Sequence, residues 1–347
     1  MSDPETTPPS TRSPFKSAMR RLGRIPTPAI FAASVILAVA VLWWQGQIQE
    51  ILDVTGDASA RPLLLAAPIY VASLWLLCYR WHVLVRMAQG TSDLPRASEA
   101  FLTSVVINYA APVGLAVPSR AALTKRALGL DAHATGTIAL WEIGADVIVL
   151  GLGTVLWMLM AEGSMSAVGG ELENSASRYM IVVGAVIVAG LVGAVLLLRT
   201  PRRRRQFAGL VSRIILAPKE RPLEAALALG VTVVYWIVQG VVLGLLVHAM
   251  HVDTSFEFIL GLTSLPILVG MLSPIPGGAV VREALMYVVA RLAGVPGGEV
   301  VAAAVIYRMA LFGAIPILYA LTRFWISRRN GDRPEMAPPK PVHSTRA

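Results

Sequence analysis

Charge is scarce in this chain. Only 15% of its 347 residues are Asp, Glu, Lys or Arg, where a soluble domain carries roughly 25%. Length alone would suit about two soluble domains of roughly 150 residues each. Two such cores could not bury a composition that is 55% hydrophobic. Cysteine is nearly absent: Cys78 stands alone, which excludes an internal disulfide and says nothing about compartment. Also missing are a CxxC pair, an HExxH helix, a Walker loop, a Ser/His/Asp order and the exposed Asp-x-Asp of a sugar-nucleotide enzyme. These absences remove the common metal, phosphate-loop and nucleophile chemistries, and no cofactor is called for. Acid is scarcer than base, 21 residues against 30, for a net charge of +9. So apolar a chain is no basic nucleic-acid binder, and its positive charge needs another explanation.

What is present is a series of long runs free of Asp, Glu, Lys and Arg: 25–49, 62–79, 100–119, 147–161, 179–198, 225–252, 258–281 and 309–322. A helix crossing about 30 Å of hydrocarbon at 1.5 Å per residue needs roughly 20 such residues. Two more runs reach that length if a charge is tolerated inside. One is 134–160, with Glu142 and Asp146, and the other is 299–322, with Arg308. This is an all-α polytopic membrane protein. The first run is too long for the core of a cleavable signal and reads as an uncleaved span. The Pro-rich ends, 1–25 and 326–347, read as disordered tails.

Basic residues orient the spans. With the N-terminus cytoplasmic, spans at 26–46, 62–79, 134–160, 179–198, 222–249 and 299–322 place 25 of the 30 basic residues on the inner face. That sorting requires two runs not to cross. Run 100–119 contains Asn108, Pro112, Gly114 and Pro118, and run 258–281 ends in Ser273-Pro274-Ile275-Pro276-Gly277-Gly278. Both interrupt a helix at depth, and both read as re-entrant hairpins, one from each face. The Arg202–Arg205 run becomes an orientation signal and a contact for anionic lipid. Trp43, Trp44 and Trp157 fall at outer ends, and Trp81 and Trp325 at inner ends.

The order span, span, hairpin, span then occurs twice, in 26–161 and 178–325, with three crossings each. The halves therefore have opposite orientation. Inverted repeats with helices broken at mid-depth are the build of alternating-access transporters. The expected fold is six transmembrane helices plus two re-entrant hairpins in an inverted repeat.

Each ionisable group at bilayer depth costs at least about 2.5–3.5 kcal/mol, so it needs a partner or a duty. The candidates are Arg120, Glu142, Asp146, Arg282, Glu283 and Arg308, with Asn108 beside them. Arg120 and Arg282 follow the two hairpin breaks, where a half-helix also directs free N–H groups inward. Together they suit a phosphate-bearing headgroup, with a carboxylate taking an amine or a proton. Static pairing, for instance Glu142 with Arg308, is the competing reading. His248 and His251 have no third ligand in reach along the chain, so a metal is not expected. Gly240 and Gly244 form a GxxxG that suits helix packing.

Arg80-Trp81, Asn108 with Pro112 and Arg120, and the carboxylates of the third span resemble the lysylphosphatidylglycerol synthase transmembrane-region family, also called flippase-like. Pro274-Ile-Pro276-Gly-Gly-Ala-Val-Val-Arg282-Glu283, followed by Gly294-Val295-Pro296 and Tyr307-Arg308, is similar to its Pro-Gly-Gly…Arg-Glu…Gly-Val…Arg signature. The likeness covers roughly 28–325. One departure is Ile143, where the family usually has Arg after the glutamate. No soluble synthase domain follows before Ala347, so the resemblance implies the translocation half: movement of an anionic-headgroup lipid between leaflets of the plasma membrane. An intramembrane enzyme acting on a lipid phosphate, or a non-transporting partner of a lipid-synthesising enzyme, are the alternatives. The topology has a direct check. A cysteine placed at 297 should be labelled from outside and one at 130 from inside, and the reverse at either position would overturn the hairpins.

Overall fold

The computed structural model describes residues 58–110, 132–161, 217–272 and 281–331, with isolated positions between 28 and 56 and at 123, 127–130 and 278. Predicted spans 26–46 and 179–198 fall largely or wholly outside these residues. So do Pro112, Pro118, Arg120, Pro276 and Gly277, together with the side chain of Asn108.

Seven helices are bounded: α1 Ala60–Gln89, α2 Leu94–Ala110, α3 Ala132–Met160, α4 Pro222–Ala249, α5 Phe256–Leu272, α6 Val281–Leu292 and α7 Gly297–Gly331. No strand occurs among the described residues. Among the described residues, four helices, within α1, α3, α4 and α7, are long and apolar enough to cross a membrane. Pro68, Pro266 and Pro316 lie inside α1, α5 and α7. Buried helices tolerate them because neighbouring groups satisfy the freed carbonyls.

The predicted boundaries hold at α3 and α4 but not at α7, which continues past 322 to Gly331 and so takes in the first residues of the expected tail 326–347, nor at α1, which runs ten residues past 79 and stops at Gly90. That glycine has φ +89, and its N–H bonds the Arg86 carbonyl. Arg80 and Trp81 are therefore not inner-face residues. Arg80 is 3% exposed and Trp81 1%, the indole lying against Phe101 at 5.9 Å. Arginine ended the charge-free run without ending the helix, because carboxylates on another helix receive it.

The bundle is organised about α1 and α4, which pack most extensively on one another. They run antiparallel, as bonds at both ends show. Ser59 N–H donates to the Ala249 carbonyl at 2.9 Å, and Arg221 Nη1 donates to the carbonyls of Arg86 and Met87 at the other end. Against that axis α2 packs on α7 and α5 on α3. Both pairs are antiparallel. Asp93 and Glu99 meet Arg329 and Arg323, while Gly261 abuts Trp157 and Gly153 abuts Ser264. Exchanging α1 with α4, α2 with α5 and α3 with α7 leaves this pairing pattern unchanged, including α1–α3 with α4–α7, α1–α2 with α4–α5 and α1–α7 with α3–α4. The GxxxG is used as expected, Gly240 and Gly244 admitting Ile259 and Thr263 of α5.

These directions place the starts of α2 and α3 at the end bearing Arg86, Arg221 and Arg329. The start of α5 and the finish of α6 lie at the opposite end. There a cavity of about 250 Å³ is lined by Trp157, Glu257, Phe258, Val289 and Leu292, among others. At their inner ends α5 and α6 meet closely, Gly270 lying against Gly278 and Arg282. Helix α6 closes with Gly294 at φ +71 and a Val295 N–H to Ala290 carbonyl bond of 3.0 Å, a Schellman stop.

Gly278 combines φ +66 with a neighbour that leaves no room: a Cβ there would lie 2.6 Å from the Gly270 carbonyl oxygen. Gly294 has a similar φ and open space around it. Gly278→Ala should therefore cost more than Gly294→Ala, about 1–3 kcal/mol for the strained backbone alone plus displacement of α5. Thermal unfolding of both variants in detergent checks the order.

Candidate functional site

Among the described residues, two charged clusters lie inside the bundle. The first is built from α1, α3 and α4. Glu142 and Asp146, one turn apart on α3, share a face as their spacing requires, and Arg80 of α1 reaches both. Its Nη1 donates to Asp146 Oδ1 at 2.6 Å and its Nη2 to Asp146 Oδ2 at 3.2 Å, a two-point grip. Nη2 also donates to Glu142 Oε1 at 3.2 Å. From α4, Trp236 Nε1 donates to Asp146 Oδ1 at 2.8 Å, and Thr232 Oγ1 lies 3.4 Å from Arg80 Nη1. Both carboxylate residues are 6% exposed. At such burial a charge survives only when paired and hydrogen-bonded.

The second cluster is built by α6 and α7. Glu283 Oε1 lies 3.1 Å from Arg308 Nη1, so the suggested Glu142–Arg308 pair does not form. Glu142 is held by Arg80 and Arg308 by Glu283. Arg282 is different. It lies in the first turn of α6, 9% exposed, with its guanidinium carbon 4.7 Å from the centre of the Tyr307 ring. Its Nε and Nη2 are buried and have no hydrogen-bond partner among the described residues. The first N–H groups of a helix are also free of intrahelical bonds. A buried cation, open donors and a helix N-terminus are the elements from which anion sites are built. Tyr307 is ten residues into α7, which puts Arg282 about 15 Å from that helix's start, half the thickness of a bilayer core.

The structure thus brings together Arg282, Glu283 and Arg308 in one place and Glu142 with Asp146 in another. Arg120 and the first hairpin break lie outside the described residues. No three His, Cys, Asp or Glu side chains converge as a metal site among the described residues. Arg80, Trp236, Tyr307 and Gln239 were not singled out as site residues from the sequence. A signal existed for two of them. Arg80 is followed by five uncharged residues before Arg86, and Gln239 is a lone amide in the charge-free run 225–252.

The Arg80 cluster has a measurable consequence. Arg80→Leu strands two buried carboxylates and should cost about 3–5 kcal/mol, read as a fall in unfolding temperature in detergent. Arg80→Lys should recover only part of the loss, since an ammonium cannot reproduce the two-point grip on Asp146.

Comparison with known proteins returns no match among curated sequences. The sequence profile described as lysylphosphatidylglycerol synthase TM region matches residues 30–318. That match includes every helix described here except the last turns of α7, and both clusters. The chain is a multi-pass helical membrane protein that belongs to the lysylphosphatidylglycerol synthase TM region family.

Proposed function

We propose that this protein is a flippase-like transporter, moving a lipid with a phosphate-bearing headgroup between leaflets by alternating access. One observation carries the reading: two buried guanidinium nitrogens of Arg282, Nε and Nη2, at the start of α6 have no hydrogen-bond partner among the described residues. An unpaired charge at that depth costs at least about 2.5–3.5 kcal/mol. A phosphate arriving there supplies the missing acceptors and returns that cost. The Glu283–Arg308 pair beside it keeps the surroundings close to neutral.

The helix arrangement supports the transport reading. Antiparallel α1 and α4, with a contact pattern unchanged on exchanging the halves, suit an inverted repeat of 26–161 and 178–325. The antiparallel α5–α6 pair, broken near Arg282, suits a re-entrant hairpin. The chain from α2 to α3, which leaves and returns at one end, suits a second hairpin opposite. Our reading has six crossings and two hairpins, with Arg120 and Asn108 assigned to the hairpin whose tip lies outside the described residues. The end bearing Arg86, Arg221 and Arg329 is cytoplasmic by the positive-inside rule. The membrane is the plasma membrane. Rocking of one repeat against the other exposes the site to each leaflet in turn. The partner is the lipid itself, and no chemical step is assigned.

Reconstitution into liposomes with headgroup-labelled lipid tests this. Accelerated leaflet exchange is expected, abolished by Arg282→Ala and by Arg120→Ala while membrane insertion remains intact. Unchanged exchange in both variants would remove the anion site. Chemical alteration of the lipid would instead indicate an enzyme. Neither effect, with a lipid-synthesising enzyme co-purifying, would indicate a partner role.

A further inference from the structure

Gln239 is 1% exposed and sits in a part of α4 that has no Asp, Glu, Lys or Arg between 225 and 252. A buried amide in such a place must be satisfied at both ends. Its Oε1 accepts the Tyr307 hydroxyl proton at 2.7 Å, and its Nε2 donates to Ser73 Oγ at 3.0 Å. Ser73 Oγ donates in turn to the Tyr70 carbonyl at 2.6 Å. The Tyr70 ring meets the Tyr307 ring edge-on, with centroids 5.5 Å apart. Tyr307 is thus held at its hydroxyl from α4 and at its ring from α1. Arg282 lies over the ring so held, 4.7 Å from its centre.

We propose that Gln239 is a positioning residue for the anion site: by fixing the Tyr307 ring it holds the Arg282 guanidinium in place for an incoming phosphate. This rests on the reading of Arg282 as the anion receptor. An arginine side chain has many rotamers, and the adjacent carboxylate of Glu283 is engaged by Arg308 rather than by Arg282. A fixed aromatic face within cation–π distance narrows the choice. A receptor organised before its ligand arrives loses less on binding. Gln239, Tyr307 and Arg282 all lie within 178–325, whereas Ser73 and Tyr70 belong to α1 in 26–161. The Gln239–Ser73 bond and the Tyr70–Tyr307 ring contact therefore couple the geometry of the receptor to the relative position of the two halves. Gluing three helices together is the simpler role for such a network, and the two roles differ in what they change.

The experiment measures binding of dihexanoyl phosphatidic acid to the purified full chain in detergent, alongside thermal unfolding, with inorganic phosphate as a second probe. Gln239→Leu and Tyr307→Phe should each weaken phosphatidate binding about 2- to 12-fold, the worth of one hydrogen bond. The double variant should bind no more weakly than the weaker single variant, because both changes remove one contact. Ser73→Ala should weaken binding in the same direction. Full affinity in Gln239→Leu with a lowered unfolding temperature would overturn the proposal and leave a structural network. Additive losses in the double variant would overturn it as well. Should Gln239→Leu fail to fold, Tyr307→Phe decides, since it keeps the ring and removes only the hydroxyl. Arg282→Ala separates the two levels. If it abolishes binding while Gln239→Leu binds normally, only the positioning role falls. If it binds as the unaltered chain does, or the unaltered chain binds no phosphatidate, the receptor itself falls and the positioning role with it. Phosphate competing with phosphatidate would mean that the headgroup alone is read.

Discussion

A guanidinium withdrawn from water must find its neutralising partners inside the protein, and Arg80 finds them on a different helix. Its grip on Asp146 and Glu142 joins α1 to α3, while Trp236 and Thr232 bring α4 to the same point. Three long helices are thereby registered to within a hydrogen bond. Apolar packing alone would not do this in a bilayer, where lipid tails solvate leucine as well as a neighbouring helix does. Everything else in the bundle is placed relative to that junction and to the antiparallel α1–α4 pair through which it passes.

Arg80 and Arg282 show how two chemically identical groups take different roles at depth. Arg80 has both terminal nitrogens drawn toward carboxylates and a hydroxyl, and such engagement makes a fastener. Arg282 has an aromatic face and two buried N–H groups left over. The difference arises from the neighbours each helix presents. Helix α3 offers two carboxylates one turn apart, whereas the carboxylate next to Arg282, Glu283, is engaged by Arg308.

The two ends of the bundle are also unlike. At the arginine-bearing end α2 is fastened to α7 by Glu99, which accepts from both Tyr319 and Arg323. At the opposite end the corresponding α5–α3 contact rests on a glycine against an indole, beside the cavity lined by Trp157 and Phe258. Related contacts between the halves, one ionic and one apolar, make the two ends of the bundle unlike.

Much of this was written in the order of residues. The predicted spans 134–160 and 222–249 marked α3 and α4 to within two residues. The Pro-Gly cluster near 276 marked the break between α5 and α6, and the scarcity of charge made each ionisable residue at depth a candidate. Such features are local, because hydropathy, proline and glycine act on the chain where they stand. Partnership is not local. Arg80 pairs with residues 62 and 66 positions away, so its sequence surroundings pointed to a helix end while its carboxylates, in space, let the helix continue. Trp81 was misplaced for the same reason. Glu142 and Arg308 matched in charge, yet each is taken by another residue because helix directions put a nearer partner in reach. That Tyr307, Gln239 and Ser73 form one connected line follows from three helices converging, and no spacing along the chain encodes such a convergence.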